Sequence, residues 1–238
     1  MKTSEEYIKG IEKLFALDGL RTSVLAHGIE DSHFLRLQSL IRCSIQHCEV
    51  SFHSAINSQI LSSLVLLRTA LEHALMARFL HQVPDGHVLS EILMDKHRSD
   101  LSDKSSDFNV TESSLRLRKM VRFEKSDYDR VPTNPTTLIN KFKQREILKH
   151  LYFLLSQPSH PITALTQYVE LEADGQTRRI RKKALDQDPL SALPFLFQIL
   201  ALTLLTDASI SCDLDLENRV YEIVLGTFNK TDIAPNLE

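Results

Sequence analysis

The stretch from Gln59 to Gln82, QILSSLVLLRTALEHALMARFLHQ, contains no glycine and no proline. Residues that lose little rotamer freedom in a helix dominate it, so one long helix is the conformation open to it. Inside this apolar run stand Arg68 and Glu72, four residues apart. With Arg68 at 0° on a helical wheel, Glu72 falls at about 40°, Phe79 at about 20°, Val65 at about 60° and Met76 at about 80°. The charged pair therefore shares its face with apolar residues, which is not the pattern of a solvated stripe. Leu64, Leu67, Leu71 and Leu75 cover most of the remaining circumference. The spacing predicts a central helix buried on several sides. Two charges in such a place need pairing and hydrogen bonds. If the pair is buried, removing Arg68 strands Glu72 at a cost of several kcal/mol. If it is exposed, the same pair is worth about 0.2–0.5 kcal/mol.

Other segments read the same way. Tyr7, Ile8, Ile11, Leu14 and Phe15 sit at helical spacing over residues 4–17, with Ser4 as a cap. Asp31 and Ser32 open a second helix that runs to about residue 56, where Asn57 and Ser58 form a joint. After the central helix, "VPDG" is a stop, since Pro84 cannot continue a helix and Asp-Gly favours a turn. One short helix fits residues 85–97, followed by a polar, Ser/Asp-rich stretch read as a mobile loop over about 98–113. "SLRLRKMVRFEK" (114–125) fits a basic helix, and a further helix is predicted over about 136–157. Asp174-Gly175 between extended arms points to a small β-hairpin near 168–181. An apolar helix from Pro189 onward and a last helix over roughly 214–229 complete the chain. Only six glycines interrupt these patterns, and the expected class is all-α: a helical bundle with that one hairpin inserted. Residues 1–30 are expected to form an amphipathic helix and linker, and 31–238 a single bundle domain.

Net charge is −3, so nothing draws the whole chain towards nucleic acid or acidic lipid, and any anion site must be local. Cys43, Cys48 and Cys212 are an odd, sparse set, read as reduced thiols of a cytoplasmic protein. MKTSEEYIKGIEKLF has no apolar secretion core. No uninterrupted apolar stretch approaches about 18 residues, so no membrane span or membrane partner is expected.

"KHLYFLLSQPSHPITAL" supplies partners for the Arg–Glu pair. Tyr152 and Ser156 share a helix face, and His160 is expected just past the helix end, where the dipole favours a protonated imidazole. These groups would complete a satisfied polar network, or form a small anion or nucleotide pocket. Both readings stay open on the residues alone.

Here a family resemblance arises. "LLRTALEHA", followed some 80 residues later by "YFLLSQPSHP", resembles uncharacterised bacterial all-helical proteins with Arg-x3-Glu and Tyr-x3-Ser-x3-His motifs, related to the HEPN superfamily. The resemblance spans roughly residues 35–210. It implies a bundle that dimerises, and in many members a metal-independent ribonuclease of toxin–antitoxin or phage-defence systems, with RNA and an antitoxin or other protein as partners. Other members are inactive or bind nucleotides. The HEPN signature of Arg, four to six residues, then His occurs at Arg42/His47, Arg68/His73 and Arg145/His150, and more loosely at Arg21/His27. The polar residue common after that Arg is replaced by Cys43, Thr69 or Glu146. With ten histidines, such pairs also arise by chance. If cleavage occurs, His73 or His160 would move protons, Arg68 would stabilise phosphate charge, and Glu72 would orient Arg68. No cofactor and no metal is required.

Three further patterns in the sequence bear on its chemistry. Cys43/His47 and Glu49/His53 are each i,i+4 pairs, but they point in different directions and give no four-ligand array. Ser156, His160 and Glu72 as a hydrolase triad lack a Gly-flanked nucleophile turn. "RLRKMVR" and "RRIRKK" are candidate RNA-phosphate contacts, or simply solvated faces. The functional expectation is therefore a HEPN-like protein, either a metal-independent ribonuclease or a non-enzymatic binding or scaffold module. The candidate residues are Arg68, Glu72, His73, Tyr152, Ser156 and His160.

Overall fold

A computed structural model describes residues 3–22, 32–104, 123, 125–157, 169–171, 178–180 and 189–227. The described residues are predominantly helical. In chain order the helices are α1 (Ser4–Thr22), α2 (Ser32–Ile56), α3 (Ile60–Gln82), α4 (Gly86–Lys104), α5 (Lys125–Tyr128), α6 (Pro135–Ile139), α7 (Arg145–Ser156), α8 (Leu193–Ser211) and α9 (Leu214–Thr227). A 3₁₀ turn, Pro189–Ala192, leads into α8. Two three-residue strands, β1 (Val169–Leu171) and β2 (Arg178–Ile180), pair antiparallel with Val169 opposite Ile180. The segment between them, with the expected Asp-Gly turn, lies outside the described residues, as do the basic stretch 114–122 and His160.

The antiparallel α2–α3 hairpin is the most extensive packing unit, and α8 lies across both of its helices. Its joint is tight for a physical reason. Ser58 takes a left-handed φ of 61°, and the amide of Gln59 bonds the Ser54 carbonyl at 2.8 Å, which closes α2 in a Schellman turn. The same device separates α8 from α9. Cys212 has φ 52°, the Asp213 amide bonds Ala208, and Asp213 Oδ1 caps α9 by accepting from the Leu216 amide at 2.9 Å.

Helix α8 is the core of the fold: Leu193, Leu196, Phe197, Ile199, Leu200 and Leu204 are completely buried. By length and composition both α3 and α8 would suffice to cross a membrane, but 67% of the apolar window of α8 is buried within the bundle. Core burial is thus enough to account for that composition.

Four readings of the sequence need correction. Helix α1 is no appendage: Ile11 and Leu14 are fully buried, and the helix packs on α8 and α9. Gly10 allows the contact, since a Cβ there would lie 2.7 Å from the Phe197 ring. Helix α4 continues through residues 98–104, which were expected in the polar loop; polar residues without glycine or proline do not stop a helix. The helix expected over 136–157 is two helices, α6 and α7. Asn134 caps α6 by accepting from the Thr136 amide at 2.9 Å, and the turn that follows drives Phe142 into the core. The fourth correction concerns the Arg–Glu pair itself.

Candidate functional site

Helix α3 has no charged stripe, yet its Arg68–Glu72 pair is not sealed in the core. The two side chains remain 33% and 32% exposed, and neighbouring Val65 is also exposed. The wheel gave the right composition for that face but not its cover: α7 is short and leaves one flank open. The energetic consequence is a reversal. A pair this exposed contributes roughly 0.5 kcal/mol, not the several expected for a buried one.

The pair is nevertheless well held. Arg68 Nε donates to Glu72 Oε1 at 3.1 Å. From α7, the Tyr152 hydroxyl donates to that same oxygen at 3.0 Å. The Arg68 guanidinium carbon lies 5.0 Å from the centre of the Tyr152 ring, a cation–π distance. Arg68, Glu72 and Tyr152 thus form one closed unit across two helices 80 residues apart. Burial raises the Tyr152 phenol, and its bond to the Glu72 carboxylate raises it further, against the opposing charge of Arg68. The phenol is therefore a protonated donor at neutral pH.

His73 is next to Glu72 on the same helix. Its ring lies 5.4 Å from that of His47 on α2, tilted by 36°. His47 Nδ1 is 2.6 Å from the Cys43 carbonyl, whereas Nδ1 of His73 is buried without a hydrogen-bond partner. Burial lowers the His73 pKa, and the neighbouring His47 lowers it further; Glu72 and the Thr69 carbonyl pull the other way. The Thr69 carbonyl acts by proximity and does not meet hydrogen-bond geometry at Nδ1. The net effect keeps the imidazole neutral at pH 7. Two Arg-x4-His segments on neighbouring helices thus meet through their histidines. Their arginines go elsewhere: Arg42 pairs with Asp18 of α1 at 2.5 Å, and Arg68 joins Glu72 and Tyr152. The third arginine, Arg145, pairs with adjacent Glu146 at 3.4 Å.

Ser156 is on the same helix as Tyr152, and its hydroxyl donates to the Tyr152 carbonyl at 2.7 Å. That bond is the usual back-bond of a helical serine, and it does not make Ser156 a nucleophile. His160 lies outside the described residues. In "RCSIQHCEVSFH", Cys48 is buried while Glu49 and His53 are exposed, and burial pushes the Cys48 thiol up. Among the described residues no group of three or more His, Cys, Asp or Glu side chains is arranged to hold a metal ion.

Sequence reasoning passed over two polar clusters. On α8, Asp207 is completely buried and accepts from Gln38 Nε2 of α2 at 2.7 Å. One turn back along α8, Thr203 meets Ser44 of α2 at 2.9 Å, and Ser44 donates to the Ala70 carbonyl of α3 at 2.9 Å. The second cluster joins α2 to α4. Buried Ser90 accepts from Arg36 at 3.0 Å, lies 3.1 Å from His33 Nδ1 and donates to the His87 carbonyl at 2.8 Å. Those three contacts use the whole capacity of a hydroxyl. The signal for Asp207 was visible, since it is a lone acid in "ILALTLLTDASI".

The chain matches no protein-family model, no curated protein and no solved structure.

Proposed function

We propose that this chain is a HEPN-like helical bundle that cleaves RNA without a metal, using Arg68 and Glu72 of α3 together with His73, which lies about 140° around the same helix and so reaches the same phosphate from across a dimer. The observation that supports this reading most is the pairing of unlike groups. A one-third-exposed guanidinium is held by Glu72 and Tyr152, and His73, the neighbour of Glu72 in sequence, is kept neutral chiefly by burial. In the proposed reaction Arg68 binds a backbone phosphate and stabilises the charge that develops on it. Neutral His73 accepts the proton of the 2′-hydroxyl through Nε2, its Nδ1 being buried. The 2′-oxygen then attacks phosphorus and the 5′-oxygen leaves, taking a proton from solvent water. The products are a 2′,3′-cyclic phosphate and a 5′-hydroxyl. A homodimer, an antitoxin or other protein partner and a cytoplasmic setting belong to the same proposal.

Tightly induced expression of the wild type beside Arg68→Ala and His73→Gln, with total RNA run on a gel, tests it. The expected result is growth arrest with RNA breakdown, abolished in both variants while circular dichroism shows them folded. Arrest and RNA breakdown that persist in folded Arg68→Ala would overturn the reading.

A second reading has its own support. The Tyr152–Glu72 bond ties α7 to α3 over 80 residues of sequence, as a scaffold or binding module without activity requires. It predicts no arrest from the wild type, and a loss of order in α7 when Tyr152 is replaced by Phe.

A further inference from the structure

Away from the α3–α7 site, a cavity of about 570 Å³ opens between the end of α3, the start of α4 and the segment joining α5 to α6 and α7. Its size falls within the range of small-molecule pockets. Phe79, Leu89 and Phe142 give it an apolar lining, and all three are nearly buried. Its rim is ionic. Arg130 bonds Asp85 at 2.6 Å and approaches Asp127 at 3.8 Å. The Lys141 ammonium, on the same rim, makes no ion pair or hydrogen bond with any described residue.

Arg130 is thus matched by two carboxylates, Asp85 and Asp127, and Lys141 is the lining cation with no carboxylate partner among the described residues. A neutral apolar ligand would make no use of the Lys141 ammonium, and an inorganic anion would make no use of the apolar wall of Phe79, Leu89 and Phe142. A ligand with a single negative charge on an apolar body meets both demands.

We infer that the cavity bounded by Phe79, Leu89, Phe142, Arg130 and Lys141 is a binding site for a small monocarboxylate with an aliphatic or aromatic body. The carboxylate sits at Lys141 beside Arg130, whose fork is already oriented by Asp85. The hydrocarbon lies against the two phenylalanines. This site is separate from the proposed RNA-cleaving face, and neither reading depends on the other.

Calorimetric titration of the full chain with octanoate, octanamide and octylammonium tests the inference. Octanoate is expected to bind saturably, one per chain. Octanamide and octylammonium are expected to bind at least about fivefold more weakly. Lys141→Gln, at an exposed position that does not threaten the fold, is expected to weaken octanoate by about three- to fivefold and leave octanamide unchanged. Leu89→Phe, which fills the cavity, is expected to abolish binding of both. No saturable octanoate binding below about 10 mM overturns the proposal. So does equal affinity for octanoate and octanamide, or octanoate affinity indifferent to Lys141→Gln.

Discussion

Two polar constellations cross the helix interfaces of this protein, and they differ in where their satisfaction comes from. Between α2 and α8, Gln38–Asp207 and Ser44–Thr203 lie wholly inside the bundle. Between α3 and α7, Arg68 and Glu72, joined by Tyr152, lie one-third open to water. The inner seam has no route to a ligand, so its partners must be internal and its work is to fix the register of α2 on α8. The outer unit could be solvated, yet it is held by a hydrogen bond and a ring face. A charged group kept rigid where water would serve is better explained by something it must meet than by stability.

Breaking the inner seam gives the largest expected effect. Asp207→Ala leaves Gln38 Nε2 buried without an acceptor and opens a small cavity at a position with no exposure. The expected loss is about 3 kcal/mol, combining an unpaired buried group with lost packing. Asp207→Asn retains an acceptor and should recover most of it. Urea unfolding of the two variants checks this, and equal midpoints for Asp207→Ala and wild type would show that the seam is not structural.

The outer unit is expected to behave oppositely. Arg68→Ala should cost at most about 1 kcal/mol in the same assay, because the pair is partly solvated. A loss of several kcal/mol would erase the distinction between the two constellations. It would also return Arg68 and Glu72 to the buried role that their sequence context suggests.

That context explains what could be read in advance. Helix α3 was legible nearly to its ends, because an unbroken apolar run closed by "VPDG" leaves the backbone one choice. The joint at Asn57 and Ser58 was legible from turn chemistry. Arg68, Glu72 and Tyr152 were brought together from helical spacing on two separate segments, and the structure joins them directly. Exposure was not legible, since a wheel orders residues around an axis but does not say how far the next helix reaches. The meeting of His47 with His73 was missed for a related reason. It depends on the register between α2 and α3, which the left-handed Ser58 sets. Asp207 carried the same signal as Arg68 and Glu72, an ion in an apolar helix, but as a single residue its partner could not be named. The split between α6 and α7 follows from burial of Phe142, a tertiary demand that overrides local helix propensity.

The smallest expected effect concerns pH, and it separates the two regions by chemistry. His73 and His81 both have pKa values lowered from 6.5, in each case chiefly by burial. Above about pH 6.5 neither folded nor unfolded chain holds these protons, so the imidazoles contribute no pH dependence there. As pH falls through that value the unfolded chain takes up protons first, and folding stability declines. The decline stops once the folded chain is protonated as well. Both groups are only partly buried, so the slope is shallow. His73→Gln should flatten it without moving the stability of the Gln38–Asp207 seam at neutral pH. Urea midpoints taken between about pH 7.5 and pH 5 read the difference directly. Identical slopes in wild type and His73→Gln would mean that His73 titrates as if in water. That result would also remove the reason for assigning it the proton-accepting role, because a freely solvated imidazole at position 73 is no better poised than any of the other histidines. A flattened slope would identify the imidazole that the helix packing holds neutral on the α2 side of α3, while Arg68 stands toward α7.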